Sequence, residues 1–115
     1  MTRYDYITQL KDDITTYLID NDIVLDDLND SELEKLEYDL FVNDNVTGNA
    51  SGSYTMNTWQ AEENIAHAWD LIEEVAEEYG MDPFISTGLV HGPEWWDVTI
   101  RCYLLSEALY ELAKR

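Results

Sequence analysis

Apolar residues recur in four stretches with helical spacing, and the polar, glycine-bearing segments between them read as connections. Tyr6, Ile7, Leu10, Ile14, Tyr17 and Leu18 line one face of a first helix expected from Arg3 to Ile19. Thr2, with Asp5 three residues later, has the form of a capping box at its start. Ser31 and Glu34 form a second such box, and Leu33, Leu36, Leu40 and Phe41 then mark a helix to about Asn43. A third helix is expected from Trp59 to Tyr79, capped by Asn57 or Thr58 and stopped at Gly80. Its stripe is Ile65, Ala68, Trp69, Ile72, Val75, Ala76 and Tyr79. Pro93 suits the first turn of a fourth helix, along which Val98, Cys102, Leu105, Leu109 and Leu112 form a seam at spacings of four, three, four and three. Glu94 and Asp97 near the start of that helix, and Lys114 and Arg115 at its end, complement its dipole.

The connections differ in character. Asp20 to Asp30 holds Ile23, Val24, Leu25 and Leu28 among five Asp, and reads as a linker or a short helical turn tied to the core. Asn45 to Asn57 is a structured, Gly-rich loop in which Ser53 to Met56 could form a very short β segment without a partner strand. Met81 to Gly92 contains Pro83 and aliphatic Leu89-Val90, and reads as a docked connection. The expectation is one all-α domain over residues 1–115, an irregular bundle of about four helices.

Composition adds what the pattern leaves out. Hydrophobic residues make up 45% of the 115, and aromatics 12%, so the chain is expected to fold rather than remain a disordered acidic tail. Against 25 Asp and Glu stand 6 Lys and Arg, a formal charge of -19. Such a surface repels nucleic acid and anionic membranes and attracts basic surfaces. A single cysteine, no leader-like opening and no apolar run near the ~20 residues that span a bilayer point to the cytoplasm.

The carboxylates are also ordered. Ten lie between Asp20 and Asp44, opposed only by Lys35. On the expected third helix Glu63, Asp70 and Glu77 repeat every seven residues, with Glu74 and Glu78 beside them. Carboxylates one or two turns apart on a helix stand about 5 to 11 Å from one another, a spacing comparable to that of backbone phosphates. A solvated helix face ordinarily mixes Glu with Lys, and these rows do not. Asp26, Asp27, Asp30, Glu63, Asp70, Glu74 and Glu77 are therefore the candidate contacts for a protein partner with a basic nucleic-acid-binding surface. Trp95 and Trp96, about 100° apart on a helix, cannot both face one core strip, and Trp95 is the candidate edge residue of an aromatic patch that includes Trp59.

Nothing in the pattern suggests a catalytic centre or a cofactor. Glu63 and His67 share a helix face, but only His91 could add another imidazole, and neither HExxH nor paired ExxH occurs. Cys102 falls on the apolar seam, where a thiol behaves as a small hydrophobe. Asp97 and Arg101 are four apart, an intrahelical ion pair or, in so acidic a chain, a buried tie to another helix. No phosphate-binding, nucleophile-elbow or calcium-loop motif is present.

The runs from Val46 to Thr55, Asn57 to Asn64 and Asp97 to Leu105 resemble a group of short acidic proteins of phages and mobile elements of gut Firmicutes. The group has no assigned activity. Small acidic phage proteins include anti-restriction and anti-CRISPR inhibitors, so the resemblance implies a setting in which a nucleic-acid mimic would act, and no functional residues carry over. The alternative expectation is a non-enzymatic adaptor or assembly protein that binds through its aromatic patch.

Overall fold

A computed structural model of the chain describes residues 1–49, 63–66, 68–82 and 93–115. The fold is all-α: among the described residues there are four helices of more than one turn, one short 3-10 turn and no strand. Helix α1 spans Arg3–Asp20, and Thr2 closes it as expected. The Thr2 hydroxyl accepts from the Asp5 amide (3.2 Å), while the Thr2 amide donates to the Asp5 carboxylate (3.0 Å). Its far end is a Schellman turn in which Asp22 adopts the left-handed conformation (φ 55°) and the Ile23 amide donates to the Leu18 carbonyl. The acidic connection then makes a 3-10 turn at Leu25–Asp27.

Helix α2 spans Asp30–Phe41, and its cap lies two residues before the expected one. Asn29, not Ser31, accepts from the Glu32 amide (2.8 Å) and receives Glu32 in return (3.0 Å). Both tripeptide spacings satisfy the capping rule. The earlier box prevails; Leu33, Leu36 and Leu40 lie inside and Phe41 is exposed.

The expected third helix is interrupted. Residues 63–65 are helical, the chain leaves helical geometry at Ala68 (φ -112°, ψ 23°), and helix α3 spans only Trp69–Glu78. In a continuous helix the Ala68 amide would reach the Asn64 carbonyl. Here it donates to Ile65, and the Met1 ammonium takes Asn64 instead. Trp59, the proposed caps Asn57 and Thr58, His67, His91, the Ser53 to Met56 segment and most of the Met81 to Gly92 connection lie outside the described residues. Gly80 does stop α3: it sits at φ 66°, and the Met81 amide closes back on the Ala76 carbonyl. Leu71 joins Ala68, Ile72, Val75 and Ala76 in the core, whereas Tyr79 turns outward.

Helix α4, Pro93–Ala113, is the axis of the molecule, and α1, α2, α3 and the 3-10 turn all pack on it. Its buried set is Trp96, Ile100, Leu104, Leu105, Ala108, Leu109 and Ala113, so the expected narrow seam is a wide wall. Val98, Cys102 and Leu112 sit at its margin, half-buried. A helix packed by three neighbours buries a broad face, wider than the narrow seam that the spacing alone suggests.

Under α1 the wall contains charge. Asp97 and Arg101 are both buried and paired at 2.9 Å. The Tyr6 hydroxyl donates to the second Asp97 oxygen (2.7 Å), and Arg101 donates also to Gln9 (2.6 Å), its guanidinium 5.4 Å from the Tyr6 ring centre. The pair is thus both intrahelical and a tie to α1. Burial, and then the Asp97 charge, push the Tyr6 hydroxyl well above its usual value.

Candidate partner-binding face

On α4 the positions Trp95, Thr99, Tyr103, Ser106 and Tyr110 follow one another at spacings of four, four, three and four, and so share one side of the helix. That side is opposite the wall under α1. Ser106 is exposed and the other four are half-buried. The stripe runs about 22 Å along α4 at 1.5 Å per residue.

Carboxylates stand beside it on both flanks. On the α3 side, the Tyr103 hydroxyl donates to Glu74 (3.2 Å), and Tyr103 also feels Glu78. Desolvation, then Glu74 and then Glu78, hold its phenol above the ordinary value. On the α2 side, desolvation and then Glu37, Glu34 and Asp30 raise the Tyr110 phenol. Two tyrosines seven residues apart on α4 therefore mark where rows from α3 and α2 come near the same stripe.

Helical geometry explains the α3 row. Leu71, Ile72, Val75 and Ala76 occupy its inner half, which leaves the whole outer half to Asp70, Glu73, Glu74, Glu77 and Glu78, all exposed. The Trp69 indole donates to Glu73 (2.6 Å). Cations offset little of this. Arg3 bridges Glu74 (3.2 Å) and Glu107 (2.7 Å), Lys11 meets Glu111 (3.4 Å), Arg115 meets Asp30 (3.3 Å) and Arg101 is buried.

The expected contact residues fall in three places. Asp30 and Glu74 flank the stripe from opposite sides. Asp70 and Glu77 belong to the same α3 surface, with Asp70 lining a hollow beside Arg3 and Glu74. Asp26 and Asp27 are exposed on the 3-10 turn, whose Leu25 and Leu28 carbonyls receive the Arg115 guanidinium, and Glu63 is exposed on the helical turn before the break. Sequence reasoning passed over Glu34, Glu37, Glu78, Tyr103 and Tyr110 as contacts. The spacing of Asp30, Glu34 and Glu37 at four and three was visible, but the meeting of α2 with Tyr110 was not.

Trp95 and Trp96 divide as expected. Trp96 is fully buried and Trp95 half-buried, the rings edge to face at 5.1 Å. Trp95, Val98, Thr99 and Cys102 line a groove of about 250 Å³ with Phe41 from the end of α2, Tyr79 from the end of α3, and Gly48 and Asn49. That last pair is placed by Asn43, whose carbonyl accepts from the amides of Val46, Thr47 and Gly48, while the Thr47 hydroxyl donates to the Phe41 carbonyl (2.8 Å). Burial pushes the Cys102 thiol up to about 11, so it is not a thiolate at neutral pH. Among the described residues no three His, Cys, Asp or Glu side chains converge as a metal site, and no helix is long and apolar enough to cross a membrane.

No protein-family model, curated protein or solved structure matches the chain.

Proposed function

We propose that this protein is a non-enzymatic inhibitor that mimics nucleic acid and occupies the basic nucleic-acid-binding surface of a protein partner, a nuclease of the CRISPR or restriction type. The observation that supports the reading best is the unmixed outer half of α3, five exposed carboxylates without a Lys or Arg in that helix, facing outward on a body held by its own core. Carboxylates at that spacing can occupy Lys and Arg side chains arranged for a phosphate backbone, and the affinity comes from many weak pairings with released counterions. Catalysis has no part in it. Replacing Asp70, Glu74 and Glu77 together by Lys is expected to abolish binding to such a partner with helicity intact by circular dichroism. Unchanged affinity would remove the idea.

The groove at Trp95 favours a second reading, an adaptor whose contact is mainly apolar and whose acidity serves solubility alone. Apolar contact persists in high salt, whereas a phosphate-mimicking contact does not. A salt series on the complex separates the two.

A further inference from the structure

Among the described residues, the side of α4 opposite α1 is left uncovered between α2 and α3, and it combines two features that separately would mean little. Its floor is aromatic, with Trp95 at one end and Tyr103 and Tyr110 beyond, and Ser106 is exposed between the two tyrosines. Its two long edges are acidic: α3, which packs on α4, brings Glu78 and Glu74, the latter accepting from the Tyr103 hydroxyl at 3.2 Å, and α2, which packs on α4 from the other side, carries Glu34 and Glu37. Phosphate mimicry alone requires only the edges.

We infer that this furrow seats one amphipathic, Lys- and Arg-bearing helix of the partner, its apolar stripe on Trp95, Tyr103 and Tyr110 and its cations against the carboxylates of α2 and α3. Charge complementarity selects the occupant: a body of formal charge -19 repels a second copy of itself and any anionic surface. Shape selects a helix. The floor is itself a helix face about 22 Å long, matched by about fifteen residues of partner helix, and a helix with cations on both sides of its apolar stripe meets both edges together. The inference rests on the basic-surface reading above and adds where and in what form the partner's cations arrive.

The test uses two model peptides of about fifteen residues, one of Leu and Lys patterned as an amphipathic helix and one of the same composition scrambled, titrated into the full-length protein by calorimetry at low salt. Two variants carry the same added charge: Ser106→Arg between Tyr103 and Tyr110 in the furrow and Thr16→Arg on the exposed surface of α1. Both sites are solvent-facing, and circular dichroism checks their folding. The patterned peptide is expected to bind one to one and at least about tenfold more tightly than the scrambled one. Ser106→Arg is expected to lose about tenfold or more of that affinity, since a like charge held in the contact costs at least the ~1.4 kcal/mol of a tenfold change, and Thr16→Arg no more than about threefold. Equal losses in the two variants overturn the furrow, whichever peptide binds. If in addition both peptides bind alike, a diffuse acidic field remains and the proposed function survives without the furrow. If neither peptide binds, both fall.

Discussion

The two sides of α4 handle charge in opposite ways. On the side under α1, one cation and one carboxylate are enclosed, and each polar end is met: Asp97 by Arg101 and Tyr6, Arg101 by Asp97 and Gln9. Away from α1, the carboxylates of α2 and α3 are exposed, and even the ion pairs at the α1 rim, such as Arg3 with Glu74 and Glu107, are about half exposed. The enclosed pair has no water to fall back on, so its geometry is enforced, while the open side can exchange its partners. The protein thus spends its one buried cation on holding α1 to α4, and leaves uncompensated charge where another molecule can reach it.

That contrast can be broken most severely from the buried side. Arg101→Met strands the Asp97 carboxylate and is expected to cost about 3 to 5 kcal/mol in urea denaturation, whereas Asp97→Leu combined with Arg101→Met restores most of the loss. A single variant as stable as the parent would mean that water reaches the pair. Tyr6→Phe keeps the ring over Arg101 but removes one donor to Asp97, for about 1.5 to 3 kcal/mol by the same measurement. At the exposed surface pair, Arg3→Ala is expected to change stability by less than ~1 kcal/mol.

The smallest effect is one of pH. Asp13 is half-buried; desolvation foremost, and then Asp12, hold its carboxyl above the ordinary value, although Arg101 pulls it down. A folded-state value above the unfolded one means that ionisation costs stability, and the cost appears as pH rises through that interval. Asp13→Asn should accordingly be the more stable form at pH 7, with the difference closing as pH falls below the ordinary value of 3.8. Denaturation midpoints of the two proteins across pH 3 to 7 check the sign.

How far the sequence discloses this molecule depends on whether the information is local. The Thr2 box and the Gly80 stop involve residues within one turn of each other, and both stand where the pattern puts them. The α2 cap lies two residues before the expected one because Asn29 and Ser31 each have a Glu three residues on, and the local pattern fits both. At the break before α3 the Asn64 carbonyl is taken by Met1, 63 residues away, a contact that no local pattern reveals. The width of the α4 wall depends likewise on how many neighbours enclose it. Of the candidate face, the α3 row was legible because one helix carries it; the approach of α2 to Tyr110 was not, because it joins residues about eighty apart in sequence.

The central claim is that the exposed carboxylates of α2 and α3 meet a surface built for phosphate. Affinity for a nuclease captured from a host lysate, measured from about 50 to about 500 mM salt with and without duplex DNA, tests it most directly. The account predicts that log affinity falls steeply and linearly with log salt, and that DNA competes for the same surface. Affinity indifferent to salt, with DNA and this protein bound together, would contradict it.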